Sequence, residues 1–199
     1  MQMTIDLSQI PIFNDHQMTT KTGEDTIAIT WIKTPLGDML AGATHQGICL
    51  LEYSIPVRLK QQLPRLEKTY GALIQAGFSD HFAPLQQQLF EYFSHKRKNF
   101  DLPLDIRGTE FQKQAWSLLQ TIPYGETRCY QQQAIAIHRP KAIRAVASAN
   151  GKNWISIIIP CHRVIGKRGS MSGYGGEIWR KAYLLKLERE CGHPSHMIS

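Results

Sequence analysis

The run Pro160-Cys161-His162-Arg163-Val164 sets a thiol beside an imidazole at the end of an apolar stretch. A thiolate is a soft nucleophile, and an imidazole can take the thiol proton to make one. A lone cysteine in an apolar run is more often buried and inert. Here a His-Arg pair interrupts the run, which favours a working thiol. A third group completes the set. The helix expected from Ile178 to Cys191, stopped by Gly192, has Trp179, Tyr183, Leu184 and Leu187 as its apolar members. Glu188 lies one turn beyond Leu184 on the same face. A core-facing carboxylate is costly unless paired. Its partner could be a structural Lys or Arg, or a histidine whose ring it would orient toward Cys161.

These groups need positioning elements. Ile157-Ile158-Ile159 reads as a buried strand that Pro160 ends, because proline has no N–H for the ladder. Glycines 166, 169, 173, 175 and 176 allow the following loop to fold tightly around a ligand. Thr109 and Gln112 form a capping-box signature for a helix burying Phe111, Ala115, Leu118 and Ile122, with a turn at Pro123-Tyr124-Gly125. A short helix follows from Tyr130 to Ile137. After a turn at His138-Arg139, Pro140 suits the first position of a helix running to Ala149. These two form a helix-turn-helix candidate. The second carries Lys141 and Arg144 among Ala142, Ala145, Ala147, Ser148 and Ala149, so its backbone can come close to a groove while its cations meet phosphates. Ordinary helix packing through alanines is the competing reading.

Charge supports a polyanionic partner. The net charge is +7, and from Arg107 to Glu190 there are 14 Lys and Arg against 5 Asp and Glu, with 9 against 11 elsewhere. A one-sided basic half binds nucleic acid by releasing counterions. The four cysteines (Cys49, Cys129, Cys161 and Cys191) have neither disulfide-framework nor zinc-cluster spacing. With no apolar span and no secretion signal, a reducing cytoplasmic setting is expected.

The first half offers no chemistry. Residues 1–24 read as a loose arm, and Thr26–Lys33, Met39–Thr44 and Ile48–Tyr53 as an antiparallel meander. Pro56–Tyr70 reads as a partly helical stretch broken near Pro64. Phe82, Leu85, Leu89 and Phe93 mark one face of a further helix. His16, His45, His81 and His95 lack ligand spacing and read as surface residues. An extended connector, Phe100–Ile106, should hold the boundary between a scaffold domain (25–100) and an active-site domain (101–192), with a tail at 193–199.

From Thr26 to Glu190 the sequence resembles the O6-alkylguanine-DNA alkyltransferases. The resemblance is carried by Gly108-Thr-Glu-Phe-Gln112, Ile122-Pro-Tyr-Gly-Glu-Thr127, Arg144-Ala-Val146, Asn153, and the run from Ile157 through Gly173-Tyr-Gly-Gly176 to Leu184-Leu-Lys-Leu-Glu188. It implies an α/β plus α fold: an N-terminal ribonuclease-H-like α/β domain with antiparallel strands, and a C-terminal helical domain with a winged-helix-like helix-turn-helix. It implies cofactor-free, metal-free, single-turnover repair of O6-alkylguanine, and of O4-alkylthymine, in double-stranded DNA. The protein would act as a monomer with no obligate protein partner and no membrane, and would flip the damaged base.

By the same resemblance, Cys161 is the alkyl acceptor, His162 deprotonates it through a water, and Glu188 orients His162. Asn153 braces the active-site turn. Tyr130 hydrogen-bonds the departing purine and belongs to the DNA-contacting set with Arg144, Lys141, Ala145 and Ala149. Arg144 replaces the flipped nucleotide in the stack. Tyr174, Gly175, Gly176, Trp154, Ile159 and Pro160 wall the substrate pocket, and Lys181 lies near the site. Departures from the family pattern are Trp154 where proline is usual, Cys129 for serine, His138 for glycine, and Gly175 where some members carry serine. Two other functions use some of the same features. A cysteine hydrolase would need an oxyanion hole and would turn over. A non-enzymatic DNA-binding regulator would leave Cys161, His162 and Glu188 idle.

Overall fold

A computed structural model describes Ser8, Ile10, residues 25–171 and residues 173–190. The expected arm (1–24, apart from Ser8 and Ile10), the tail, His16 and Cys191 lie outside the described residues. The chain forms two compact units, one reaching to Glu91 and including Phe100–Gly108, the other comprising Tyr92–Asn99 and the chain from Thr109 onward.

The first unit holds a four-stranded mixed sheet in the order β3-β2-β1-β4. Strands β1 (Thr26–Ile32), β2 (Met39–Ala43) and β3 (Ile48–Tyr53) form the expected antiparallel meander, and β4 (Leu73–Ala76) adds to β1 in parallel. The parallel edge follows from the helix between them: α1 (Pro56–Tyr70) supplies the crossover that a parallel pair requires. Pro64 does not break α1, which is continuous through it and buries Leu59, Leu63 and Leu66. Residues 101–108, expected in the second domain, belong here. Leu104 bridges to Ile48, and buried Asp105 accepts Thr44 Oγ1 at 2.9 Å, which fixes the segment against the sheet.

Helix α2 (Phe82–Phe93) buries Phe82, Leu85, Leu89 and Tyr92. The stripe therefore ends on Tyr92, with Phe93 only half-buried. A 3.6-residue period permits either position as the last member, and packing selects the tyrosine.

In the second unit the capping box forms as expected. Gln112 N–H donates to Thr109 Oγ1 at 3.3 Å and Thr109 N–H to Gln112 Oε1 at 2.9 Å, opening α3 (Glu110–Gln120). Helices α4 (Tyr130–Ala136) and α5 (Ile143–Gly151) close around Ala134, Ile137 and Val146, with Phe111, Leu118 and Tyr130 packed against them. Buried side-chain donors, two amides and an indole, pin the three helices. Gln133 donates to Ala115 O at 2.9 Å, Asn150 to Gln133 Oε1 at 2.8 Å, and Trp116 Nε1 to Ala149 O at 2.9 Å.

Several expectations here need correcting. Pro140 lies in the turn, and α5 starts three residues later at Ile143. His138 holds the left-handed conformation at φ 57°, which few side chains adopt without cost. Ile157-Ile158-Ile159 is buried as expected but is a turn, not a strand, with Ile157 at φ 72°. Trp179 (51% exposed) and Tyr183 (39%) face outward from α6 (Ile178–Glu190). The core face of α6 is instead Lys181, Leu184, Leu185, Leu187 and Glu188, so two of five buried positions are charged and need partners. No helix among the described residues is long and apolar enough to cross a membrane.

Candidate active site

Asn153 builds the turn that presents the thiol. Its Oδ1 accepts Ile155 N–H at 3.0 Å and its Nδ2 donates to Ile159 O at 2.9 Å, so one buried amide satisfies backbone groups that a strand would have paired in a ladder. That is why three β-branched residues can coil here. The same Nδ2 lies 3.3 Å from Cys161 Sγ, as a donor toward the sulfur. Pro160 then leads into a single 3₁₀ turn, Cys161–Arg163, and β6 (Val164–Ile165) pairs in parallel with β5 (Arg128–Cys129).

The 3₁₀ turn sends its side chains to different places. Cys161 is partly exposed, whereas His162 and Arg163 are buried. Both reach Glu188 on α6. His162 Nε2 is 2.8 Å from Glu188 Oε1; Arg163 Nε donates to Oε2 at 2.9 Å and Nη2 to Oε1 at 3.1 Å. Tyr92 Oη donates to Oε1 at 2.7 Å and Gly125 N–H to Oε2 at 3.1 Å. Gly125 is required there: it sits at φ 80°, and a Cβ would lie 3.0 Å from Glu188 O. The sequence left the partner of Glu188 open between a cation and a histidine, and the fold supplies both.

Burial works to raise the Glu188 carboxyl, but His162 and Arg163 outweigh it and hold it at about 2. Glu188 is therefore an anion that only accepts, so His162 carries its proton on Nε2 and leaves the Nδ1 lone pair as the basic site. Nδ1 is buried and has no hydrogen-bond partner among the described residues. Burial lowers the His162 pKa, Glu188 pulls it up, and Arg163 and Lys181 push it down, for a net position below the usual range. The imidazole at rest is a neutral base.

Lys181, fully buried, donates to Val164 O at 2.6 Å and braces the strand after the thiol turn. Burial pulls its ammonium pKa down while Cys161 pulls it up. Burial raises the Tyr130 phenol, and Cys161 adds to the effect. Tyr130 Oη lies 3.1 Å from where a Cβ on Gly173 would sit, and Gly173 has φ 79°. The fold thus brings Cys161, His162, Glu188, Asn153 and Tyr130 into one neighbourhood.

The other expected residues are placed less uniformly. Lys141, Arg144 and Ala145 are exposed on or just before α5, but Ala149 is buried and its carbonyl is taken by Trp116, so it has no free surface for DNA. Tyr174, Gly175 and Trp154 are half-buried, while Ile159, Pro160 and Gly176 are buried. None of these six lines the open groove of about 460 Å³ along β5 and β6, which is bounded by Thr127, Arg128, Cys129, Gln132, Ile165, Gly166, Lys167 and Gly169. Sequence reasoning missed Tyr92, read Gly125 only as part of a turn and of the Ile122–Thr127 motif, and gave Arg163 no role at the site. The available signal for Arg163 was a cation enclosed between His162 and Val164-Ile165.

Residues 27–106 match the family described as the ribonuclease-like domain of 6-O-methylguanine DNA methyltransferase, and residues 110–190 match its DNA binding domain. The chain is 43% identical over 157 residues to a methylated-DNA–protein-cysteine methyltransferase of Methanosarcina barkeri, covering 79% of this chain and 94% of that one. It is 40% identical over 163 residues to a constitutive one of Bacillus subtilis, covering 80% and 94%. A crystal structure of Mycobacterium tuberculosis O6-methylguanine methyltransferase superposes with a TM-score of 0.69 at 38% identity, over 86% of this chain and 98% of that one. The same organism's enzyme in complex with DNA superposes with a TM-score of 0.67 at 38% identity, over 83% and 94%. On these grounds the chain belongs to the family of 6-O-methylguanine DNA methyltransferases.

Proposed function

We propose that this protein repairs DNA by moving the alkyl group of O6-alkylguanine, and of O4-alkylthymine, onto Cys161. The observation that carries the reading is the His162–Glu188 pair, in which Nε2 is committed to a carboxylate and Nδ1, on the residue next to Cys161 in the chain, is left as the free basic site. The thiol proton passes to Nδ1 through a water. The thiolate attacks the ether carbon, the carbon–O6 bond breaks, and its electron pair stays on the purine, where the Tyr130 hydroxyl stabilises it. Asn153 steadies the sulfur from the side at 3.3 Å. The thioether formed has no carbonyl for water to attack, so each molecule acts once.

The target atom lies inside a duplex, so the nucleotide must be extruded at a cost of roughly a few kcal/mol. Arg144 fills the gap in the stack, and Lys141 and its neighbours hold the phosphates. Tyr174, Gly175, Gly176, Trp154, Ile159 and Pro160 enclose the extruded base. The labour is split between a scaffold unit that includes Phe100–Gly108 and an active-site unit that includes Tyr92–Asn99 and the chain from Thr109 onward. The protein works as a monomer in the cytoplasm without metal or cofactor.

Incubation with a duplex containing O6-methylguanine, followed by intact-mass and peptide analysis, tests this. The expected result is one methyl group on Cys161, abolished in Cys161→Ser with DNA binding retained. Methylation of Cys129, Cys49 or Cys191 instead would sink the assignment. Repeated turnover would favour a hydrolase, and binding with no modification a regulator.

A further inference from the structure

Tyr92 closes the last turn of α2 and is fully buried. Its ring meets Tyr124 edge-on at 5.9 Å and Phe93 at 5.4 Å, so the hydroxyl is held in one direction. That direction is Glu188 Oε1, at 2.7 Å. The same oxygen takes His162 Nε2 at 2.8 Å and Arg163 Nη2 at 3.1 Å. A carboxylate oxygen offers two lone pairs, so three donors compete for its charge. Tyr92 and Arg163 keep their protons through the proposed reaction. Only His162 changes protonation, so the other two set how strongly Glu188 holds it.

We propose that Tyr92 is a positioning residue for His162: by occupying Glu188 Oε1 it fixes the carboxylate's rotation and weakens its pull on the imidazole. The inference rests on the reading of His162 as the base and deepens it. A base that held its proton too tightly would already be charged and unable to take the thiol proton.

The surrounding charges are fixed. Arg163 grips Glu188, Lys181 and Arg163 oppose a charge on His162, and Gly125 N–H binds Oε2. Cys161 acts on Lys181 by raising its ammonium pKa. The Tyr124 ring lies 5.8 Å from the Arg163 guanidinium and 5.9 Å from Lys98 Nζ, and its hydroxyl reaches Leu187 O at 3.4 Å. Against that background the Tyr92 hydroxyl can be removed without changing any charge or the ring packing. Burial and Glu188 also push its phenol well above the usual range, so it stays a neutral donor.

The test compares the full chain with Tyr92→Phe, each labelled with ¹⁵N-histidine. In the variant the Nε2–H proton resonance of His162 should move downfield, because the remaining bond to Oε1 strengthens. The acid limb of single-turnover transfer from an O6-methylguanine duplex should move to higher pH by roughly half a unit to one unit. Tyr124→Phe, whose hydroxyl meets a backbone carbonyl, should leave both unchanged. Should Tyr92→Phe fail to fold, 3-fluorotyrosine labelling makes the phenol a stronger donor and should move the resonance upfield.

A rate reduced equally at every pH, with the His162 resonance unmoved, would overturn the proposal and leave Tyr92 a packing residue. A shifted resonance in a protein that transfers no alkyl group would support the role of Tyr92 while overturning Cys161 as acceptor.

Discussion

Arg163 and Glu188 form a two-pronged buried ion pair, Nε to Oε2 at 2.9 Å and Nη2 to Oε1 at 3.1 Å, with side-chain exposures of 7% and 0%. Arg163 Nη1 also donates to Ile122 O at 2.6 Å, which ties the thiol turn to the end of α3. The pair means that His162 leans on a carboxylate already neutralised by a neighbour in the chain. Removing one member of a buried pair strands the other. Arg163→Met should therefore cost about 3–5 kcal/mol in denaturant unfolding. Arg163→Lys keeps the charge but loses the fork and should cost less. A loss below about 1 kcal/mol for the Met variant would show that the pair adds little to stability.

Acid should weaken the fold in two steps. His162 has a depressed pKa in the folded state, so from about pH 6.5 downward the unfolded chain gains a proton that the folded one resists, and stability falls. Glu188 sits at about 2 when folded. Its contribution, about 3 kcal/mol, is complete above the unfolded carboxyl value near 4.3 and is lost between there and about pH 2. Denaturant midpoints measured against pH should show both, and Glu188→Gln should remove the second. A midpoint independent of pH across this range would contradict the geometry.

Gly173→Ala should disturb the thiol's surroundings without touching the DNA face. The new methyl would meet Tyr130 Oη at 3.1 Å, at a backbone φ of 79°. The backbone term costs about 1 kcal/mol, and Tyr130 must move. Transfer should slow on both duplex and free O6-alkylguanine, with duplex affinity kept. Equal loss of affinity would place Gly173 in the DNA contact surface.

Arg144 and Lys141 should separate extrusion from binding. Both are exposed, Lys141 in the turn before α5 and Arg144 in its first turn. Arg144→Ala should slow repair of duplex DNA far more than reaction with free O6-alkylguanine, which needs no flipping. Lys141→Ala should weaken duplex binding and lower its salt slope by about one charge. An equal slowing on duplex and free base would place Arg144 in the pocket.

Local signals in the chain were enough for the meander, the Thr109–Gln112 capping box, the α4–α5 pair and the core-facing position of Glu188. Each depends on neighbours within one or two turns or on a short alternation, so the spacing of residue types carries it. The Pro160–Val164 signature likewise singled out Cys161 and His162. Where the sequence misled, a distant group intervened. Ile157–Ile159 read as a strand because β-branched residues favour one, yet the Asn153 side chain meets the backbone groups at Ile155 and Ile159 and turns the chain instead. Ala149 read as groove-facing because it is small, but Trp116, 33 residues earlier, claims its carbonyl.

Only the tertiary structure decided what surrounds Glu188. Tyr92 lies 96 residues away, Gly125 63, Arg163 25 and His162 26. No periodicity spans such distances. A carboxylate on an apolar face announces that it needs partners, because an unpaired buried charge is too costly. Which donors answer, and how many share one oxygen, depends on how the helices pack, and that is settled only when the chain closes on itself.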